Sequence, residues 1–237
     1  MSISGYFPYS LQIARSHQQQ EPLKQFIQAA YTREFSASIP HFLPLLLGLY
    51  DEHDLLIGAC GVNPAANGSL YLEHYLNAPV EEIITKRLAE CSQQANPATN
   101  SPTPIVSPIV VRAQIAEIGN LAVSNPGDGR LLFAAICRFL LTDGYPWVTF
   151  TSTQKLRNSL HRLHLNPMML AEAQAEHVGS DASAWGNYYH CAPQVMAGNI
   201  HDGLEMLTRI SPSVRLMPSP KISSLLLPGF PLVWGTC

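Results

Sequence analysis

Ala116-Glu117-Ile118-Gly119-Asn120-Leu121-Ala122-Val123 decides the fold. Its apolar residues fall on both faces of an extended segment, the pattern of a strand buried on both sides. Three residues break that pattern. Glu117 carries a charge, which in a core needs a partner or a shifted pKa. Gly119 weakens a strand interior and marks a bulge or a close backbone approach. Asn120 brings an amide with several hydrogen-bonding positions to satisfy. Local rules broken together in one core strand point to a functional site. The structural alternative is a buried Glu paired with an Arg.

The residues that follow complete a unit. Ser124-Asn125-Pro126-Gly127-Asp128-Gly129-Arg130 is a turn, and Leu131 to Thr142 reads as an almost wholly apolar helix. Asp143-Gly144-Tyr145-Pro146 stops it, with Gly144 as the C-terminal cap. Trp147 to Phe150 reads as a second buried strand. Strand, Gly-rich turn, helix and strand form a βαβ unit, so the two strands are expected to be parallel. The helix N-terminus beside Gly127 and Gly129, with Arg130, offers free N–H groups and a positive dipole end to a phosphate. The turn is neither a Walker loop nor a G-x-G-x-x-G fingerprint, and a plain turn is the alternative.

At 237 residues, 46% of them hydrophobic, the chain suits one domain with a sizeable core, or one domain with an appendage. Charged residues make up 13%, about half the usual ~25% share, which suits an apolar ligand, a partner or a membrane surface. A net charge of −3 argues against nucleic acid as a partner. Five cysteines, at 60, 91, 137, 191 and 237, lack any C-x-x-C spacing and read as reduced thiols, not as a disulfide framework or zinc site. His161 and His164 lack further ligands nearby, so no metal is expected. No signal peptide opens the chain and no run reaches the ~18 apolar residues of a membrane span. The expectation is a folded cytoplasmic protein, not an integral membrane one.

Elsewhere, a strand is expected over Tyr6 to Ala14, a helix over Glu21 to Ser36, a hairpin of Leu45 to Tyr50 with Leu55 to Gly61, and a helix from Pro79 to Cys91. Ser92 to Pro108, with four prolines and no charge, reads as a surface loop. Thr151-Ser152-Thr153 suit the N-cap of a helix through about Leu163, or hydroxyls lining a strand end where α/β sheets bind ligands. A strand is expected over Gln194 to Ala197. The apolar tail Ile222 to Trp234 reads as a packing arm, a lid or an interface. The domain is expected over 1–200, with 201–237 packed on it as an extension.

The order of elements — strand, two-helix region, hairpin, helix, strand, Gly turn, helix, strand, helix, strand — resembles the GCN5-related N-acetyltransferase (GNAT) fold, an α/β fold with a mixed central sheet flanked by helices and parallel strands that splay at the active site. Leu72-Glu73-His74-Tyr75-Leu76, Glu117-Ile118-Gly119-Asn120-Leu121-Ala122, Phe150-Thr151-Ser152-Thr153 with Leu156-Arg157-Asn158, and Trp185-Gly186-Asn187-Tyr188-Tyr189 resemble the motifs of the thermostable hemolysin family. The resemblance runs from about residue 9 to residue 200. The run Ala116 to Val123 with Arg130, and Gly144-Tyr145-Pro146-Trp147, are also similar to the acyl-homoserine-lactone synthases, which carry Arg where this chain has Asn120.

These resemblances imply an N-acyltransferase that moves an acyl group from a pantetheine thioester to the amine of a small molecule such as an amino acid or polyamine. No cofactor is held permanently; acyl-CoA or an acyl-phosphopantetheine is the co-substrate, and acyl carrier protein the implied partner. Glu117 is the implied base, a bulge at Gly119 supplies an N–H to the oxyanion, and Asn120 adds a donor or orients the amine. Tyr188 or Tyr189 protonates the departing thiolate. The donor's phosphate sits at Gly127, Gly129 and Arg130, with Thr151, Arg157 and Asn158 on the cofactor side. Glu73, Tyr75 and Trp185 fall to the acceptor, Glu73 binding its cation. Two other classes compete: a membrane-lytic protein, as the family name suggests, and an inactive acyl-binding module.

Overall fold

The computed structural model describes residues 8–95, 109–211 and 214–216. β1 (Tyr9–Ile13) leads into α1 (His17–Phe35), whose N-terminus carries a reciprocal cap between Ser16 and Gln19. β2 (Leu45–Tyr50) and β3 (Leu56–Pro64) form the hairpin. A 3-10 turn over Tyr71–Tyr75 precedes α2 (Val80–Ala95). β4 (Ile115–Val123), α3 (Asp128–Thr142) and β5 (Trp147–Ser152) follow. After α4 (Gln154–His161) come β6 (Met168–Glu172), 3-10 segments over Ala175–Trp185 and Tyr188–Cys191, and β7 (Gln194–Asn199). α5 (Ile200–Ile210) and β8 (Val214–Leu216) end the described chain.

All eight strands share one sheet in the order β6-β7-β5-β4-β3-β2-β1-β8. β4 and β5 lie side by side and parallel, as their βαβ linkage requires; β1 and β8 are also parallel and the other neighbours antiparallel. β4 is therefore central and buried on both faces. On one face Ala116 and Ile118 pack with Val148, Phe150 and the apolar side of α3, including Phe133 and Ile136. On the other, Ile115 and Trp147 pack under Leu72, Val80 and Ile84. Leu23 and Ile27 of α1 pack near Trp185 and Tyr188. These two apolar layers are the dominant stabilising term.

α3 ends as its residues dictate: Gly144 takes φ +98°, Gly144 N–H donates to the Leu141 carbonyl, and Tyr145 N–H to that of Leu140. Several expectations need correction. The region between β1 and β2 holds one helix, not two. α3 starts at Asp128, so Gly129 lies in its first turn rather than before it. α2 runs on to Ala95. β6, α5 and β8 are additions. Residues 200–211 and 214–216 pack on the rest of the sheet and α3: Arg138 of α3 donates to the Ser211 carbonyl, and β8 pairs with β1. The tail Ile222 to Trp234 and most of the loop Ser92 to Pro108 lie outside the described residues. No helix among the described residues is long and apolar enough to cross a membrane.

Candidate active site

β4 and β5 pair from Ile115/Trp147 to Ile118/Phe150. Beyond Ile118 the β5-facing edge of β4 has no ladder partner among the described residues, so the two strands part there. On the other edge the register with β3 slips: Gly61 faces Gly119 while Ala59 faces Ala122. Two residues of β4 oppose one of β3, a bulge. Asn120 takes the left-handed conformation that absorbs it, φ +51°, which Asn tolerates better than most residues. The strain thus sits on Asn120, not Gly119. Gly119 serves close approach instead: a Cβ there would lie 2.9 Å from Cδ1 of Leu43.

Glu117 lies one turn of the pleat before the bulge and is only 4% exposed. Among the described residues no Arg pairs with it. Its carboxylate accepts from two backbone N–H groups that open the 3-10 turn, Tyr71 to Oε2 at 2.8 Å and Leu72 to Oε1 at 3.0 Å. Burial raises its pKa to about 7; the two N–H groups oppose the rise and the nearby charge of Glu73 adds to it. Across the ladder Glu117 is paired with Thr149 of β5 and Asn63 of β3, so the three side chains share a face. The Thr149 hydroxyl is buried without a hydrogen-bond partner, a signal no sequence spacing could carry.

The other motif residues close around this carboxylate. Glu73 is occupied: Arg112 grips both its oxygens (2.7 and 2.9 Å), and Leu70 N–H and Val80 N–H donate to it. Burial would raise its pKa, but Arg112 and these N–H groups outweigh that and hold it low. Tyr71's hydroxyl accepts from the Trp185 indole at 3.0 Å, and the Tyr75 and Tyr189 hydroxyls share a bond of 2.8 Å. Tyr188 is buried, its ring edge-on to Phe35 at 5.2 Å and tilted against Trp185 at 5.5 Å, and burial first of all drives its pKa far up. Gly186, at φ +54°, lets this segment lie against the end of α1, where Asn187 N–H donates to the Phe35 carbonyl. A Cβ at Gly186 would collide with the carbonyl oxygens of Phe35 and Ser36. The Trp-Gly-x-Tyr-Tyr segment is thus tied through Tyr71 and Tyr75 to the turn whose N–H groups hold Glu117.

Asn120 points elsewhere: its Oδ1 accepts from Leu43 N–H at 2.9 Å and its Nδ2 donates to the His41 carbonyl at 3.2 Å. It ties the 41–43 segment to the bulge. Past the bulge the chain is lightly held. Gly127, Asp128, Gly129 and Arg130 open α3 at the surface, Asp128 accepting from Asn125, and Arg130 forms no ion pair with Asp128 or Glu117. Thr153 caps α4 without a side-chain bond. Arg157 donates to the Ser152 and Ala192 carbonyls and to Gln154, and Gln154 also bonds Asn158, so these side chains brace the end of β5 beside Thr151. An open recess of about 560 Å³ lies at Gly68, Glu73, Pro79, Glu81 and Arg112, at the opposite end of β4 from the splay. Among the described residues no cluster of His, Cys, Asp and Glu is placed to hold a metal.

The family model for thermostable hemolysin matches residues 13–96 and 103–204. The chain belongs to the thermostable hemolysin family. No curated protein matches it in sequence. Among solved structures it is similar to BjaI, a CoA-dependent acyl-homoserine lactone synthase with SAM and isopentyl-CoA: TM-score 0.54, 13% identity, over 92% of this chain and 97% of that one. The same synthase with MTA gives 0.53, at 13% identity over 93% and 97%. FeeM, an N-acyl amino acid synthase from uncultured soil microbes, gives 0.49, at 12% identity over 84% and 94%. The shared fold is the GNAT-like mixed sheet.

Proposed function

We propose that this thermostable hemolysin family member is an N-acyltransferase, moving an acyl group from a pantetheine thioester to the amine of a small molecule. One observation carries the reading: a carboxylate buried beside the β4/β5 splay, held by two N–H groups and poised with a pKa of about 7. Pure acyl binding does not call for such a group; proton transfer at neutral pH does.

The pantetheine arm lies between β4 and β5 where they part. Its phosphate sits at the N-terminus of α3 with Arg130, and the exposed surface there suits a carrier protein or CoA. The amine arrives as ammonium on the Glu117 face. Glu117 takes its proton, directly or through a water held by the Thr149 hydroxyl. The amine nitrogen bonds to the thioester carbon, a backbone N–H at the bulge stabilises the oxyanion, and the C–S bond breaks as the thiolate takes up the second proton, which the nitrogen releases on becoming the amide. Asn120 holds the bulge in shape, and Tyr75, Trp185 and Tyr188 hold the turn that holds Glu117. Such thioesters place the reaction in the cytoplasm.

The test is incubation of the protein with acyl carrier protein thioesters, CoA thioesters and a panel of amines, read by mass spectrometry. An amide product that requires both thioester and amine is expected. Binding of thioesters without turnover by any amine, or leakage of liposomes by the pure protein without thioester consumption, would overturn the reading.

A further inference from the structure

Arg112 stands just ahead of β4, and every N–H of its guanidinium is used. Nε donates to the Ala65 carbonyl (3.0 Å), one terminal nitrogen to Glu73 and Glu81 (both 2.7 Å), the other to Glu73 (2.9 Å) and the Gly68 carbonyl (2.6 Å). Only 27% of the side chain is exposed. One cation thus joins the segment after β3, the 3-10 turn and α2. Glu73, gripped by it, accepts from Leu70 N–H, and the next two N–H groups along the same turn, Tyr71 and Leu72, hold Glu117. The bonds run unbroken from Arg112 through Glu73 and the turn to Glu117.

We propose that Arg112 is a positioning residue for Glu117, setting both the orientation and the proton affinity of that carboxylate through Glu73 and the Tyr71–Tyr75 turn. The inference rests on the acyltransferase reading only for its effect on turnover. Its logic is charge and geometry. Glu73 and Glu81 share one Arg, so Glu73, whose charge bears on Glu117, is only partly neutralised. Removing Arg112 leaves the Glu73 charge uncompensated beside Glu117 and frees the turn that aims Tyr71 and Leu72 N–H at it. Like charges nearby favour the protonated carboxyl, and loss of N–H donors does the same. The remaining groups facing Glu117 leave this sign unchanged. Asn63 and Thr149, its ladder neighbours, are uncharged. Tyr71 is a phenol pushed further toward its neutral form by burial and by Asp181. His41 binds Asp181 at 2.8 Å.

The experiment titrates Glu117 in the full chain by carbon-13 NMR of labelled glutamate, its signal assigned by loss in Glu117→Gln, beside the pH profile of turnover. In Arg112→Gln the midpoint should rise by about one pH unit, which leaves roughly fivefold less base at pH 7. Arg112→Lys keeps the charge but not the five-donor fork, and should recover part of the shift. Glu81→Gln removes one acid and should move the midpoint down. A folded Arg112→Gln whose Glu117 midpoint is unchanged overturns the proposal. Should Arg112→Gln fail to fold, Glu81→Gln decides: a lower midpoint supports the relay, an unchanged or higher one overturns it. If the NMR midpoint moves while the acidic limb of the turnover profile does not, the relay stands and Glu117 is not the base.

Discussion

The two ends of β4 are held in opposite ways. Before the bulge, Glu117 is sealed by the 3-10 turn, which is fixed by Glu73, Arg112 and the Trp185–Tyr71 bond. After it, the chain runs through an exposed turn to Arg130, which makes no ion pair among the described residues. The first end is braced by these bonds; the second leaves its donors facing water. A base must be oriented before the reaction, because reorganisation costs rate. A phosphate cradle needs only to present N–H groups and a cation to an anion that arrives.

The sharpest break is Glu117→Gln. It should lower acyl transfer by about 10²–10⁴-fold, read as kcat, since a positioned base contributes that much; unchanged turnover removes Glu117 from the chemistry. The same variant tests the pKa. In the native state the Glu117 pKa is raised from 4.5 to about 7. The protonated form is therefore favoured by folding, a stabilisation complete below about pH 4.5 and lost as pH rises through 7. The loss amounts to about 3 kcal/mol, and urea midpoints of Glu117→Gln should fall less between pH 5 and 8. Next in size, Gly186→Ala should destabilise by about 3 kcal/mol, a fall in melting temperature of roughly 5–10 °C, because its backbone conformation and the Phe35 carbonyl leave no room for a Cβ. An unshifted melting curve would show that the sealed end is softer than its contacts suggest. Arg130→Ala should leave melting alone and raise the Michaelis constant for the thioester about tenfold, with kcat little changed. A change in kcat with unaltered thioester affinity would move Arg130 to the Glu117 end. The smallest effect is on stability at Thr149→Val. Removing a buried, unpartnered hydroxyl should be neutral or stabilising by up to about 1 kcal/mol, while turnover falls; a destabilised variant would mean the hydroxyl is bonded after all.

Local pattern made one part of this legible and long-range contact hid the rest. The β4-α3-β5 unit is written in apolar runs and in Gly144, features that act within a few residues, and Glu117 betrays itself as a charge in a core strand. The role of Asn120 was hidden because its partners, Leu43 and His41, lie more than 70 positions away in the chain. Arg112 went unread for a related reason: its partners Ala65, Gly68, Glu73 and Glu81 meet it only in the folded state. β6, Met168–Glu172, has neither alternation nor β-branched residues, and β8 spans three residues, too few for a period. Glu73 is expected from the sequence to bind the acceptor's cation, or else to form a salt bridge; in the fold its carboxylate is gripped by Arg112, a partner 39 positions away.

The parallel pairing of β8 with β1 bears on how the protein is made. Residues 214–216 join a strand that left the ribosome about 200 residues earlier. Until they do, the outer edge of β1 offers unpaired N–H and C=O groups beside the apolar Leu11 and Ile13, a template for another chain. The nascent protein therefore carries an open seam while the roughly 200 residues between the two strands are made, and a three-residue strand closes it. Crowded expression should punish lesions in Val214–Leu216 with aggregation out of proportion to the few bonds they contribute to the finished fold.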